Sequence, residues 1–215
     1  MNKKKLALEV LARLRLRYPS VKTALNWESP WQLLVATVLS AQCTDKQVNR
    51  ITPVFFQKWP SPNDLAKSPV KEVAQAVRSA GFYRNKSRNL VAAAGIIVSR
   101  FNGQVPDTME DLLTLPGVAR KTANIILSNA FGINQGIAVD THVKRIVFRL
   151  SLTGSTNPDI IERDLMPLFP VEEWGNVNHM LVLFGREVCK ARKPGCPGCE
   201  LNDICPKKGT EKNKQ

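Results

Sequence analysis

The sequence lacks any run of about 20 consecutive apolar residues, the length that a helix needs to cross a bilayer. Its basic first residues are not followed by a continuous apolar segment either, because Glu9, Arg13 and Arg15 interrupt that stretch. We therefore expect neither a membrane span nor a signal peptide. Both absences favour a reducing compartment such as the cytoplasm, where disulfide bonds are rare.

Strand-like alternation of apolar and polar residues is also lacking, as are internal repeats and, apart from a lysine-rich end, low-complexity segments. Helix start and stop signals recur instead. A capping residue, often followed by proline, precedes an apolar run, and glycine or proline ends that run. Such starts stand at Ser29-Pro30, Thr44, Ser68-Pro69, Asn85, Thr108 and Asp140. The pattern predicts an all-α fold of about ten helices joined by short loops.

Acidic residues are few: 18 Asp and Glu stand against 31 Lys and Arg, which gives a net charge of +13. Lys3–Lys5 account for three of these charges and the tail after Cys205 for a net three more, which leaves seven on the rest of the chain. A basic body suits a polyanion, either nucleic acid or an acidic membrane surface. Charge kept for solubility alone is the alternative.

Cysteine is scarce, with five in the chain, yet four of them fall within seventeen residues. Cys189, Cys196, Cys199 and Cys205 are separated by six, two and five residues, and four such thiolates can enclose a metal ion or a cluster. Zinc is the generic partner of four cysteines, but its usual sites combine two CxxC pairs and this chain has one. The fifth, Cys43, is predicted to be a small buried filler.

A Pro-Gly pair, Pro116-Gly117, separates a predicted helix that starts at Thr108 from one that runs from Ala119 to Phe131. A helix N-terminus presents free backbone N–H groups and the positive end of the helix dipole, so it can hold a phosphate without a side chain. Gly117 keeps the turn free of a Cβ, while the apolar Leu115 and Val118 can anchor it to the core. A simple connector between two helices is the alternative.

The hairpin sequence LPGVARKTA at 115–123, followed by VDTH at 139–142, resembles the helix-hairpin-helix DNA glycosylases, and among them the endonuclease III family. The spacing C-x6-C-x2-C-x5-C is the pattern that holds a [4Fe–4S] cluster in that family, so the resemblance implies this cofactor rather than zinc. It extends from about Trp27 to Cys205 with the motifs in the family's order. The implied partner is double-stranded DNA, bound by a monomer.

The resemblance assigns DNA contacts to two segments. Main-chain N–H groups of the hairpin would hold a backbone phosphate, and basic side chains of the loop after Cys189 would press on the DNA backbone. The residues so implied are Leu115, Pro116, Gly117, Val118, Ala119, Arg120, Lys190, Arg192 and Lys193. Ala119 departs from the family, which often has a second glycine there. Alternatively, the loop's cations only offset the negative field of a cluster.

Lys121 and Asp140 match the family's nucleophile and its assisting aspartate, and the chemistry needs both residue types. Loss of a base builds positive charge on the sugar, which a fixed carboxylate stabilises, and an amine can attack the sugar carbon and remain as a Schiff base. The amine must be neutral; a helix N-terminus, the neighbouring Arg120 and partial burial all disfavour the charged form, and Lys121 has the first two of these by sequence. The alternatives are a surface lysine and an aspartate that only caps a helix. His142 is either a nearby DNA contact or a structural residue.

A glycosylase must turn its target base out of the duplex, and something must fill the gap. The loop SAQCTD at 40–45 resembles the family's SAQTTD-type loop, whose glutamine enters the duplex beside the opposite base; Gln42 matches that glutamine. Phe82 stands where many relatives have a leucine wedge. The alternatives are an amide in an interhelical loop and a phenylalanine of the core.

The implied architecture has two domains: a six-helix domain at 22–132 with the hairpin, and a second that joins 1–21 to 133–205 around the cluster, followed by a disordered basic tail at 206–215. Lys121 implies a bifunctional glycosylase and apurinic/apyrimidinic lyase, because thymine-mismatch relatives have tyrosine there. The catalytic glutamate of adenine-specific relatives corresponds to Thr37. The implied substrates are oxidised or ring-damaged pyrimidines in duplex DNA, removed in base excision repair with β-elimination. A non-catalytic DNA-binding module and a mismatch-directed glycosylase are the alternatives.

Overall fold

The computed structural model describes residues 2–210, and this part of the chain contains helices and loops but no β-strand. The predicted all-α fold is confirmed. Its α-helices are α1 (Lys3–Arg17), α2 (Pro30–Ser40), α3 (Asp45–Lys58), α4 (Pro62–Ala66), α5 (Val70–Ala76), α6 (Tyr83–Arg100), α7 (Met109–Leu113), α8 (Arg120–Ile126), α9 (Thr141–Arg149), α10 (Pro158–Leu165) and α11 (Trp174–Glu187). None of the described helices is both long enough and apolar enough to span a membrane.

The helices fall into two compact units. Thr23–Gln135, with α2 to α8, forms the hairpin unit. Residues 1–22 and 136–215 form the cysteine unit, of which 2–22 and 136–210 are described. The sequence-based division at 22–132 has similar bounds, but the hairpin unit contains seven α-helices rather than six because the short α4 had not been predicted. Ser61 starts α4 with a capping box completed by Asp64.

Helix α2 forms the centre of the hairpin unit, since Trp31 and every residue from Leu33 to Leu39 are buried. A helix that is apolar on nearly all sides must be surrounded by other elements. Accordingly, α2 contacts α3, α6 and α8. The helices that follow Gln42, Phe82 and the hairpin turn therefore all pack against one buried helix, α2.

Two helix boundaries in the hairpin unit bear on the site. Asn85 was predicted to cap α6, and that prediction is wrong: the chain turns into the helix three residues earlier, with Phe82 at the N-cap position and the Asn85 N–H already donating to the Phe82 carbonyl at 3.0 Å. The helix predicted through Phe131 is α8 continued by a π-helical turn, Leu127–Phe131. Gly132, with φ 68°, ends it as predicted.

In the cysteine unit, α11 contacts α9 and α1, and these helices bury Leu14, Val147 and Phe184 in one core. The tail predicted to be disordered is partly defined, which corrects that prediction for residues 206–210. Lys208 N–H donates to the Arg149 carbonyl at 3.2 Å, and its ammonium lies 4.7 Å from the centre of the Phe148 ring. Residues 211–215 lie outside the described part of the chain.

Candidate active site

Two apolar side chains anchor the hairpin turn between α7 and α8 to the core of the hairpin unit. Leu115 and Val118 are buried, as predicted, and the Val118 N–H donates to the Leu115 carbonyl at 3.0 Å, which closes the turn. Pro116 is half-buried, whereas Gly117 and Ala119 are exposed. The anchoring pair thus holds an exposed stretch of main chain at the surface of the unit.

Gly117 is required in this turn for two independent reasons. Its φ is 86°, in the left-handed region that side chains rarely adopt, and a Cβ there would lie 3.1 Å from Asn89 Cβ and Nδ2. Asn89 belongs to α6, so this helix supports the hairpin from the side. The turn can therefore keep its close fit only with glycine at this position.

The start of α8 lacks the usual side-chain cap. Ala119 is the N-cap residue, with extended backbone at φ −93° and ψ 169°, and its side chain makes no capping hydrogen bond. The first N–H groups of a helix have no intrahelical acceptor and need one from elsewhere. With a methyl group at the N-cap, this end of α8 offers its backbone donors to an external anion. Arg120, half-buried, begins the helix.

Lys121 is the second residue of α8, and its side chain is exposed. Of the three influences named for such an amine, the sequence predicted the helix start and the adjacent Arg120 for Lys121, and the structure has both. Partial burial, which the sequence left open, is not found.

Asp140 caps α9, as predicted. Its Oδ1 accepts the backbone N–H groups of His142 and Val143, both at 2.8 Å, and the side chain stays half-exposed. Two N–H donors and the helix dipole stabilise the ionised carboxylate and fix its orientation. The same residue is thus a cap and a fixed negative charge at the surface of the cysteine unit.

His142 packs inward rather than projecting freely. Its Nδ1 lies 3.1 Å from Arg145 Nη2, and a Cβ on Gly185 of α11 would lie only 2.7 Å from that nitrogen. Burial lowers the pKa of His142, with Arg145 and Arg186 adding to the effect against the attraction of Asp140. A neutral, packed imidazole favours the structural interpretation, and a DNA contact by His142 stays a prediction.

Gln42 and Phe82, the two predicted duplex-entering residues, share an uncommon backbone conformation. Both are left-handed, with φ 52° and 57°, and both are exposed. The Phe82 ring is 63% exposed, which excludes the alternative that it belongs to the core. Strained backbone and exposed apolar area together are features of sites that contact a partner.

The loop after Cys189 exposes Lys190, Arg192 and Lys193. Two arginines of α9 that the sequence interpretation had missed hold its main chain. Arg145 Nε donates to the Cys189 carbonyl at 3.1 Å, and Arg149 Nη1 donates to the Lys190 carbonyl at 2.8 Å. The only sequence signal for this role is a pair of arginines four residues apart on the helix that Asp140 starts.

Cys189, Cys196, Cys199 and Cys205, all half-buried, line one cavity of about 30 Å³. The rest of its lining is largely apolar and includes Ile146, Leu150, Phe184 and Leu201. Burial raises the pKa of the Cys199 and Cys205 thiols. Four convergent thiols in an apolar pocket are a donor set for a soft metal centre.

Three of the four sulfurs accept hydrogen bonds from nitrogen donors. Cys199 Sγ accepts from Leu201 N at 3.4 Å, Cys205 Sγ from Lys207 N at 3.3 Å, and Cys189 Sγ from Arg149 Nη1 at 3.2 Å. Such donors stabilise thiolate ligands. In the described part of the chain, no three His, Cys, Asp or Glu side chains are grouped so as to hold one metal ion.

Comparison with known proteins places residues 35–171 in the family described as "HhH-GPD superfamily base excision DNA repair protein". The chain is 51% identical to endonuclease III of Synechocystis sp. over 95% of its length and 94% of that protein's. It is 41% identical to endonuclease III of Bacillus subtilis, covering 92% of this chain and 90% of the relative, and 40% identical to that of Escherichia coli K12, covering 95% and 96%.

Solved structures of endonuclease III match this chain over nearly its whole length. The chain matches a non-covalent endonuclease III–DNA complex with a TM-score of 0.93 at 39% identity, with 100% of both chains covered. It matches a trapped covalent endonuclease III–DNA intermediate with a TM-score of 0.92 at 40% identity, with 99% of both covered. A thermostable thymine-DNA glycosylase, 22% identical with a TM-score of 0.84 and 94% and 95% coverage, shares the fold.

Proposed function

This chain belongs to the HhH-GPD superfamily of base excision DNA repair proteins, and within it to the endonuclease III family; from that premise we propose how its residues act on DNA. The protein is a bifunctional DNA glycosylase and apurinic/apyrimidinic lyase. The observation that carries this conclusion is Lys121 on an uncapped helix start, in a chain that matches over 99% of its length an endonuclease III trapped covalently on DNA.

We propose that the substrates are oxidised or ring-damaged pyrimidines in duplex DNA. Main-chain N–H groups at the hairpin turn and the start of α8 would bind a backbone phosphate, because the N-cap residue Ala119 has no side-chain acceptor that competes for them. Lys190, Arg192 and Lys193 would contact backbone phosphates from the loop that Arg145 and Arg149 hold. These contacts position the duplex without reading its sequence.

In the proposed chemistry, Lys121 Nζ forms a bond to C1′ of the target nucleotide while the C1′–N glycosidic bond breaks. The departing base takes the bonding electrons and a proton. The amine then loses one of its two protons, the C1′–O4′ bond breaks with its electrons and a proton from water going to O4′, and a protonated Schiff base (an iminium) remains. Asp140, held in place by its two N–H donors, would stabilise the positive charge that develops on the sugar.

Strand cleavage follows from the same covalent intermediate. A proton leaves C2′, the C3′–O bond breaks with its electrons going to the 3′ phosphate, and water then hydrolyses the Schiff base and restores Lys121. The iminium nitrogen makes this β-elimination easier because it accepts electrons from C2′. A single amine therefore supports both base removal and strand cleavage.

We propose that Cys189, Cys196, Cys199 and Cys205 hold a [4Fe–4S] cluster. Their shared apolar cavity and the hydrogen bonds to three of the sulfurs support this assignment. The cluster would supply a rigid, covalently cross-linked support for the basic loop. A monomer that works in the cytoplasm or nucleoid stays a prediction.

The decisive test is an incision assay on a duplex with one thymine glycol, compared with the same duplex carrying normal thymine. We expect the protein, purified without oxygen, to cut the lesion strand and, with borohydride present, to form a covalent adduct with it. Binding without incision would instead indicate a non-catalytic DNA-binding module. Incision restricted to a mismatched but undamaged base would indicate a mismatch-directed glycosylase.

A further inference from the structure

Two segments of the hairpin unit carry the residues proposed to enter the duplex. Residues 41–44, the glutamine loop, contain Gln42 and connect α2 to α3; residues 79–82, the phenylalanine turn, contain Phe82 and lead into α6. Gln42 and Phe82 are both exposed and left-handed. Whether these residues act separately or together depends on how the two segments are joined.

The two segments touch through their main chains. A Cβ on Gly81 would lie 2.9 Å from the carbonyl oxygen of Gln42, so the backbones approach as closely as glycine permits. Gln47, in the first turn of α3, donates from Nε2 to Ser79 Oγ at 2.8 Å. The first contact holds the two main chains together at Gln42 and Gly81. The second links the start of α3 to the start of the phenylalanine turn.

A third connection passes through Lys86, which the chemistry of the site does not use. Lys86 lies four residues after Phe82, on the same face of α6, and is only 5% exposed. Its Nζ donates to the carbonyl of Leu39 at 2.8 Å, at the end of α2 where the glutamine loop begins. The last carbonyls of a helix have no intrahelical donor, and a cation there interacts favourably with the helix dipole.

The neighbouring carbonyls at this end of α2 find donors within the loop itself. Ser40 Oγ donates to the Thr37 carbonyl at 2.8 Å, and Cys43 N–H donates to the Ser40 carbonyl at 3.0 Å. The Leu39 carbonyl is instead bound from α6. Burial lowers the pKa of Lys86, partly offset by the nearby Cys43 thiol. Burying an amine is costly unless it is hydrogen-bonded, and the Leu39 carbonyl provides that bond.

We propose that Lys86 is a positioning residue that fastens the end of α2 to the start of α6, so that Gln42 and Phe82 enter the duplex as one rigid unit. The proposal rests on the proposed function and deepens it. Opening a base pair costs a few kcal/mol of stacking, and two residues that move together can meet that cost in one step.

The first experiment compares Lys86→Met with Lys71→Met, which removes an exposed lysine of α5 in the same unit. Incision of a thymine glycol duplex requires opening of the base pair, whereas borohydride trapping on a single-stranded abasic oligonucleotide does not. We expect Lys86→Met to slow duplex incision about 10-fold or more while single-strand trapping stays within about twofold of the unmodified protein. Lys71→Met should match the unmodified protein on both substrates.

Duplex opening can also be followed directly. A duplex with 2-aminopurine next to a tetrahydrofuran abasic analogue increases its fluorescence when stacking is lost, and no bond is cleaved. We expect the fluorescence rise at saturating protein to be reduced severalfold with Lys86→Met and unchanged with Lys71→Met. A role confined to folding would not change this signal in protein that is folded by its thermal unfolding curve.

Gly81→Ala tests the same connection without removing a charge, and keeps the proposal open to refutation if Lys86→Met does not fold. Its methyl group would force the Gln42 carbonyl away, whereas Gly95→Ala in α6 would meet no atom within 4 Å. We expect Gly81→Ala, and not Gly95→Ala, to lose duplex incision selectively.

Each outcome decides the matter. Selective loss on duplex DNA with Lys86→Met, or with Gly81→Ala if the lysine variant is unfolded, supports the proposal. Equal loss on single-stranded and duplex DNA, or duplex activity equal to that of the control variants, overturns it. Absence of trapping with the unmodified protein on either substrate would instead refute the proposed function, so the two failures are distinguishable.

Discussion

Two helices begin next to the residues proposed to act on DNA, and they begin in opposite ways. The N-cap residues of α8 and α9, Ala119 and Asp140, both have extended backbone. Ala119 provides no side-chain acceptor, whereas Asp140 Oδ1 accepts two N–H groups at 2.8 Å. One helix start leaves its donors for an external ligand, and the other uses them to hold a carboxylate.

The difference shows how one backbone feature can serve two chemical needs. A phosphate group is bound best by donors that no internal acceptor has already taken. A catalytic carboxylate needs the reverse, since hydrogen bonds from N–H groups keep it ionised and oriented. A methyl group at the N-cap therefore suits the start of α8 to the proposed phosphate binding. A carboxylate at the N-cap suits the start of α9 to the proposed catalytic role.

The largest effect is expected from Lys121→Gln, which keeps the start of α8 but removes its amine. Trapping by borohydride and strand incision should fall at least about 1,000-fold, because a covalent nucleophile is lost. Binding to a duplex with a tetrahydrofuran abasic analogue, measured by fluorescence anisotropy, should change little. Trapping that persists undiminished would remove Lys121 from this role.

Asp140 can be tested as cap and as charge separately, because asparagine caps a helix about as well as aspartate. Asp140→Asn should keep the thermal unfolding temperature and DNA binding but lose about 100-fold or more in base release, for want of the negative charge. Asp140→Ala should show the same loss and also unfold more easily, by about 1 kcal/mol. Full activity of Asp140→Asn would reduce Asp140 to a cap.

Local patterns predicted much of this comparison. The buried Leu115 and Val118, the turn at Gly117 and the cap at Asp140 follow from apolar periodicity and capping preferences, which act over a few residues. Asn85 was misassigned for the same reason: asparagine is a good cap, but α6 begins from the left-handed Phe82, for which no local signal exists.

Contacts between distant residues were beyond reach of the sequence. Arg149 binds the carbonyl of Lys190 41 positions away, and Lys86 binds that of Leu39 47 positions away. A lone basic residue in a helix is usually exposed, so nothing local predicted that both would be buried. The exposure of Lys121 was equally beyond prediction, because burial depends on which distant elements pack around a residue.

The contribution of the hairpin to DNA binding can be tested by a substitution in its turn. Gly117→Ala must adopt φ 86° and displace Asn89, whereas Gly132→Ala at the end of the π-turn must adopt φ 68° but would meet no atom within 4 Å. Both should lose about 1 kcal/mol of unfolding free energy from the left-handed backbone. We expect only Gly117→Ala to weaken binding to abasic-analogue DNA as well, about 10-fold. Equal binding by both variants would show that the turn's shape is unimportant for DNA.

The smallest effect, and the most direct test of the comparison, is expected from Ala119→Ser, which gives α8 the cap it lacks. The backbone at φ −93° and ψ 169° already suits an N-cap serine. Its hydroxyl would accept a helix N–H and raise the free energy of unfolding by about 0.5–1 kcal/mol. The same bond would compete with phosphate, so affinity for abasic-analogue DNA should fall about threefold.

Thr108→Ala is the matched control for this last change, because it removes the cap of α7, whose hydroxyl accepts from Asp111 N–H at 3.2 Å, on the other helix of the hairpin. It should lower stability by about 1 kcal/mol without weakening DNA binding. A higher free energy of unfolding together with a lower affinity for DNA in Ala119→Ser would indicate that the N–H donors of α8 bind the ligand. If Ala119→Ser raises stability and leaves affinity unchanged, the first N–H groups of α8 do not hold the phosphate.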